Sequence, residues 1–376
     1  MPHISVLVDG TAMPVDLGGV GRYVEGLVGG LDALDVALTV VVRAEHAQHV
    51  RGVAPGARVV VAPGLTRHKA VRFLWEQTGL PLLARRVGAD VVHSTHYTFP
   101  LSRRRGSVVT LHDATFFSDP QWHSRLKRLF FTTWTRLALR SGRACVVPSD
   151  ASAREFARHV GGSRSVVTTT PLGVDFAVFR SPTAAETSEF RSAAGLPSDA
   201  AWIAFLGTIE PRKNVGALIR AHARLRLESP DAPVLLVSGS RGWDDDAIHA
   251  LDEHTPGGAV RELGYLPVEH LRALLGGAEI VAYPSLGEGF GLPVLEALAC
   301  GSCVLTTDRL SLPEVAGDAA EYTAPDEDSL LAALRDLAAD DGRRRELRAR
   351  AAPRAALFTW DATARATLRA YDGAVR

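Results

Sequence analysis

Short β-branched runs alternate with stretches of helical periodicity along most of this chain. A first series of strand-length segments comprises "HISVLVDG", "LTVVVRA", "ARVVVAP", "ADVVHST", "SVVTLHD" and "ACVVPSD". Helical patterns lie between several of them, notably over 20–34, 71–88, 122–141 and 150–160. A second series runs through "WIAFLGT", "VLLVSGS", "VRELGYL", "AEIVAYPS" and "CVLTTD", separated by helical patterns near 214–228, 244–254, 267–277, 293–300 and 326–339. Strands alternating with helices argue for parallel sheets. Two such series in 376 residues predict an α/β protein of two Rossmann-like domains, a length that suits two cores better than one.

Turn residues and proline interrupt the periodicity at "TPLGVDFAVFRSPTAAE". The first domain is therefore set at 1–173 and the second at 174–358. The tail "FTWDATARATLRAYDGAVR" reads as one more amphipathic helix, about 359–376, that crosses back to the first domain. Ligands of open α/β sheets bind outside the carboxyl ends of the strands. Glu288 follows "AEIVAYPS", His112 ends "SVVTLHD" and Lys213 follows "WIAFLGT", so all three stand where chemistry is expected.

Composition narrows the picture. No apolar run approaches the ~18 residues of a membrane span, and the N-terminus already has a strand pattern without signal-peptide features. A cytoplasmic location is the expectation. The net charge is zero, yet residues 1–173 carry 21 Lys and Arg against 12 Asp and Glu, and the remainder 21 against 30. A basic half can attract anionic substrates or the inner face of a membrane, or simply be a solvated face. The basic amphipathic segment 122–140 and "SRRR" at 102–105 are the candidates for peripheral membrane or lipid-phosphate contact; the plain alternative is a helix whose apolar side faces the core. Lysine is scarce, only Lys69, Lys127 and Lys213 against 39 arginines. Cys300 and Cys303 form a lone CxxC at the end of a helical pattern, which favours structural cysteines over zinc or redox chemistry. His93 and His96 in "HSTH" suit a cleft lining or local hydrogen bonds better than a metal.

Three stretches carry candidate chemistry. Gly18, Gly19 and Gly21 precede a helix whose N-terminal N–H groups suit an anion, though the spacing is not that of a dinucleotide fingerprint. "GTIEPRKN" places Arg212 and Lys213 just before a helix, where a phosphate would meet two cations and a helix N-terminus, unless the two are solvated surface charges. In "EGFGLPVLEALACG", Gly289 and Gly291 allow close backbone approach, Pro293 suits a first helical turn and Gly301 its C-terminal cap. Glu296 then lies in about the first turn and Glu288 outside the helix, so the two bracket a ligand across the helix start; for Glu296 alone, a dipole-favourable surface acid is the alternative.

With "GGVGRY", "TLHD", "VPSDASAREF", "PLGVD", "GTIEPRKN", "ELGYLPVEHL" and the terminal "FTWDATA" in order along nearly the whole chain, these stretches resemble the GT4 family of retaining GT-B glycosyltransferases. The resemblance implies two facing Rossmann-like domains with a nucleotide-sugar donor in the cleft. It implies that Glu296 binds the donor ribose, and that Glu288 with the backbone of Gly289, Phe290, Gly291 and Leu292 holds the donor sugar. Arg212 and Lys213 would neutralise the departing diphosphate, with Gly18 and Gly19 close to it. His112 would contact the sugar near the reacting carbon, Asp113 would lie on the acceptor side, and Tyr265 and Leu266 would flank the base. Many relatives carry an arginine directly after the glycine of "WIAFLG", where this chain has Thr208; Arg212 is expected to supply that charge. The family pattern implies transfer with retention, no essential metal and no cofactor beyond the donor substrate. "EPRKN" resembles mannosyl- or rhamnosyl-type members, which points to GDP-mannose as donor and a saccharide or lipid-linked acceptor. Two other classes remain open at this level: a non-catalytic nucleotide-sugar or glycan-binding regulatory partner, and a carboxylate-pair glycoside hydrolase.

Overall fold

Val6, Leu7 and Val8 are completely buried, as are Val108 and Val109, Ile203 to Phe205, and Leu235 to Val237. Strands without an exposed face need helices on both sides, which is the doubly wound arrangement. The computed structural model describes residues 4–15 and 17–375. It divides into two compact units, one up to Gly173 together with the segment from Phe358 onward, the other Val174–Leu357.

The first unit holds β1 (Ile4–Asp9), β2 (Val36–Val42), β3 (Arg58–Val61), β4 (Val91–Ser94), β5 (Ser107–Thr110), β6 (Ala144–Val147) and β7 (Val167–Thr169). They form a sheet in the order β3-β2-β1-β4-β5-β6-β7, parallel throughout. The second unit holds β8 (Trp202–Leu206), β9 (Val234–Ser238), β10 (Val260–Gly264), β11 (Ile280–Tyr283), β12 (Val304–Thr307) and β13 (Ala320–Thr323). Their order is β10-β9-β8-β11-β12-β13, again all parallel. Strand order reverses between β1 and β4 in one sheet and between β8 and β11 in the other. These are the switch points beside which ligands of such sheets bind.

All eleven sequence-predicted strands are present. β7 and β13 were not predicted: each is short, lies at a sheet edge and is mostly half-buried, too brief for a periodic signal. Three further helices of ten or more residues, Ala44–Val53, Ala184–Ala193 and Asp341–Ala355, were also missed. The last is charged along most of its length and is set by Asp340, whose carboxylate accepts from Arg343 N.

The terminal helix Trp360–Val375 packs on the helix Gly19–Asp32 of the first unit. Glycine makes that contact possible: a Cβ on Gly26 would lie 2.1 Å from the Trp360 indole, and one on Gly30 would lie 2.6 Å from the Trp360 carbonyl. The helix is also held by polar bonds. Thr363 donates to Pro171 O at 2.6 Å, and the Tyr371 hydroxyl meets His93 Nδ1 at 2.7 Å inside the sheet core.

Candidate functional site

In the second unit Arg212, Lys213 and Glu288 come together at the β8/β11 switch point. After β8 the chain makes a short 3-10 turn, Pro211–Lys213, and enters the helix Val215–Glu228 through Asn214. Asn214 takes a left-handed conformation (φ 56°), and its amide donates to Pro284 O and Pro325 O, which ties this turn to the segment after β11. Leu286 N also donates to Arg212 O at 2.8 Å. The two loops therefore form one rigid rim.

That rim carries a buried charge cluster. Glu288 is 7% exposed and Lys213 also 7%. Lys213 Nζ donates to Glu288 Oε1 at 2.7 Å and to the Tyr283 hydroxyl, which itself donates to Glu288 Oε1 at 2.9 Å. Arg212 pairs with the other Glu288 oxygen and with Glu210, and the Ser285 hydroxyl stands 2.7 Å from Glu288 Oε1. Burial alone would raise the Glu288 carboxyl; the charges of Arg212 and Lys213, with their hydrogen bonds and that of Ser285, hold it down at about 2. Burial, with Arg212 beside it, lowers Lys213 against the pull of Glu288 and Glu210. Lys213 is thus not a solvated surface cation. Sequence reading missed Tyr283, Ser285 and Glu210, although all three stand inside or beside the quoted motifs.

The loop after Glu288 is pinned from behind by the Ser311 hydroxyl, which lies 2.9 Å from Glu288 O and 2.8 Å from Phe290 O. Gly291 caps the helix Leu292–Ala299 with φ 102°, a conformation that favours glycine, and a Cβ there would meet Leu312 at 2.9 Å. Gly289 is half-buried, whereas Phe290 and Leu292 are buried. Glu296 is 2% exposed and is the fifth residue of the helix, at the end of its first turn, close to where the sequence put it. It is therefore no surface acid. Tyr265 and Leu266 follow β10, two strands away from β8, with Tyr265 exposed and Leu266 half-buried. Cys300 and Cys303 are free and buried, their thiols pushed up by burial to about 12 and about 11, as structural cysteines are.

In the first unit, Gly18 and Gly19 lie exposed at the start of the helix Gly19–Asp32, after β1. Tyr23 of that helix places its ring edge-on to His112, with centroids 5.2 Å apart, and its hydroxyl 2.8 Å from Thr110 Oγ1. His112 Nε2 donates to Thr95 O at 2.8 Å, which leaves Nδ1 as its acceptor. Burial lowers its pKa, opposed by that bond and by Asp113, so the ring is neutral. Asp113 Oδ1 accepts from Thr115 N and Thr115 Oγ1 at 3.0 and 2.6 Å, a local turn bond.

Two residues not singled out by the sequence reading, Tyr97 and Thr98, hold these residues. Tyr97 sits at φ 54°, a strained conformation for an aromatic residue, and its hydroxyl bridges Asp113 N and Asp113 O. Thr98 donates to the buried Glu76 at 2.7 Å, with Arg72 3.8 Å from the same oxygen. Burial, followed by the charge of nearby Asp9, lifts Glu76 to about 8. His93 is fully buried between Tyr371 and Thr110, and His96 packs against His112 at 5.6 Å between ring centroids.

Comparison with known proteins adds the family context. The Glycosyltransferase Family 4 model matches residues 17–178, and the model described as Glycosyl transferases group 1 matches residues 186–355. An O-antigen chain mannosyltransferase B of Escherichia coli is 34% identical over 75% of this chain and 74% of its own length. A D-inositol 3-phosphate glycosyltransferase of Kineococcus radiotolerans is 34% identical over 61% of this chain but only 57% of that protein. Among solved structures, a sucrose-phosphate synthase from Thermosynechococcus elongatus superposes with a TM-score of 0.78 at 20% identity, covering 99% of both chains, a likeness of fold.

Two expected outcomes follow from this geometry. Replacing Glu288 by Gln removes the carboxylate shared by the buried Lys213 and the half-buried Arg212, and removing one partner of a buried pair typically costs about 3–5 kcal/mol. Glu288→Gln should therefore lower the denaturation midpoint as well as turnover; an unchanged midpoint would show that the cluster does not support the fold. Glu76 binds a proton in the folded chain that the unfolded chain releases above its ordinary value of 4.5, so stability falls as pH rises from there to about 8. Glu76→Gln abolishes that slope, and its Tm gain over the parent should grow between pH 5 and pH 8. An equal difference at both pH values would refute the assignment.

Proposed function

The chain belongs to glycosyltransferase family 4, with the GT-B fold, and from that premise we propose that it moves a mannose- or rhamnose-type hexose, with retention of configuration, from a nucleotide-diphosphate sugar to a saccharide or lipid-linked acceptor. The observation that carries this reading is the buried Arg212–Lys213–Glu288 cluster at a switch point, beside the glycine-led helix Leu292–Ala299. Breaking a sugar–diphosphate bond builds negative charge on the leaving group. Cations already fixed in place stabilise that charge without reorganisation. Glu288 aligns Arg212 and Lys213, and offers the sugar hydroxyls an ionised acceptor; it is a positioning residue. Glu296 takes the ribose, Gly289 to Leu292 lie along the sugar, and Tyr265 and Leu266 flank the base. Gly18 and Gly19 approach the diphosphate. Packing does not demand glycine at position 19, since a Cβ there would meet nothing within 4 Å. His112 presents a neutral ring to the donor sugar, and Asp113 stands on the acceptor side. The leaving phosphate accepts the acceptor's proton, so no metal and no protein base is required by this scheme.

GDP-mannose is the proposed donor, supported by the mannosyltransferase named among the relatives. A thermal-shift panel of nucleotide sugars checks this, because the true donor raises Tm by mass action, about 2.7 kcal/mol of stabilisation at a hundredfold excess over Kd. GDP-mannose should give the largest shift, and Lys213→Ala should cut donor-dependent GDP release at least a hundredfold. A panel in which only other nucleotides shift Tm would overturn the donor assignment, and full turnover by Lys213→Ala would overturn the site.

No helix among the described residues is long and apolar enough to cross a membrane. The proposed location is cytoplasmic, with peripheral contact at the inner membrane face through the helix Arg125–Arg140. That helix buries Trp134, Ala138 and Leu139 but leaves Leu126 79% and Leu129 65% exposed among Arg125, Lys127 and Arg128. Apolar side chains ringed by cations suit an anionic bilayer surface. Sedimentation with phosphatidylglycerol vesicles should fall several-fold in Leu126→Glu/Leu129→Glu, with Tm unchanged; equal sedimentation of the two proteins would rule this contact out.

A further inference from the structure

The sheet of the first unit has a second end, away from the strand termini that carry His112 and the glycine-led helix. There the amino ends of β5 and β6 and the last turns of the helix Trp360–Val375 border a cavity of about 330 Å³. Four arginines line it, Arg104, Arg105, Arg143 and Arg369. No acidic side chain lines it, and none of the four takes part in an ion pair among the described residues. Arg143 is only 3% exposed, its guanidinium donating to the carbonyls of Leu101 and Arg103 and lying 4.4 Å above the Phe99 ring. Arg105 Nε donates to Val375 O at 3.1 Å. Burial, followed by the charge of Arg104, depresses Arg143. Ser107, the first residue of β5, is 1% exposed and lines the same cavity, and its buried hydroxyl has no hydrogen-bond partner.

An unpartnered buried hydroxyl is destabilising, and four like charges converging without a carboxylate repel one another. One oxyanion removes both penalties, accepting from the guanidinium groups and from Ser107. Guanidinium forks match the oxygens of a phosphoryl group two at a time. We infer that this cavity is a second anion site, which takes the phosphoryl group of a small phosphorylated molecule or of a phospholipid headgroup. Arg104, Arg105 and Arg369 supply accessible charge, Arg143 a fixed buried one, and Ser107 a neutral donor. The volume lies at the lower end of small-molecule sites, roughly 300–1,000 Å³.

The proposed donor site also binds diphosphate, so the test is set in a Lys213→Ala background. Titrated calorimetrically with inorganic pyrophosphate, that variant should still bind. Adding Arg104→Ala and Arg369→Ala, both exposed positions, should weaken binding at least tenfold with Tm unchanged, and adding Ser107→Ala alone should weaken it a few-fold. Pyrophosphate binding that depends on these arginines supports a soluble phosphate source. Failure to bind pyrophosphate, together with a similar arginine-dependent loss of sedimentation on phosphatidylglycerol vesicles, supports the headgroup. Pyrophosphate and vesicle binding both indifferent to Arg104 and Arg369, or both absent, overturns the site.

Discussion

The second unit depends on how one carboxylate is kept ionised below the surface. Taking Glu288 out of water would cost several kcal/mol if it were left alone. The chain surrounds it with Lys213, Arg212, Tyr283 and Ser285, drawn from the β8 and β11 loops. Because the partners come from two loops, satisfying the charge also fixes the loops against each other, and Asn214 and Ser311 reinforce that fixation from the backbone side. The same bonds place two cations at the rim where strand order reverses. Stability and placement of the site are one arrangement here.

The first unit holds its site residues through hydroxyl, imidazole and backbone groups. His112 and Asp113 are held by the segment 95–98, through Thr95 O and the Tyr97 hydroxyl. That segment is anchored by Thr98 on Glu76, a carboxyl that burial and Asp9 keep protonated to about pH 8. Tyr97 adopts its left-handed backbone because bonds on both sides of it over-determine the turn.

Much of this was legible in the chain. Strands with long apolar runs declared themselves, and the loops after β8, β11 and β5 could be placed by the carboxyl-end rule before any coordinate was known. The glycines and Pro293 around Glu288 marked a loop entering a helix, as observed. What could not be read were relations between residues far apart in sequence. The pairing of Glu288 with Lys213 spans 75 positions, and "RKN" looks the same whether its lysine is solvated or buried. Glu76 sits in "FLWEQTG", where only the packing of the 95–98 segment over it reveals a buried acid. Helices such as Asp341–Ala355, charged along most of their length, escaped because periodicity needs an apolar face to be seen.

The electrostatics also decide between transfer and hydrolysis. A glycoside hydrolase needs one carboxyl with a raised pKa as acid and a second carboxylate across the same bond. Glu288 fails the first role, since a group held at about 2 carries no proton at neutral pH, and its Oε1 already accepts from Lys213 and Tyr283. Glu76 has the raised value, but it is 1% exposed, belongs to the other unit and is engaged by Thr98 and Gln77. The carboxyl with the right protonation is sealed away, and the carboxylate at the rim has the wrong one. A site that fixes cations around an ionised glutamate suits developing negative charge, which on the proposed reading a departing diphosphate supplies.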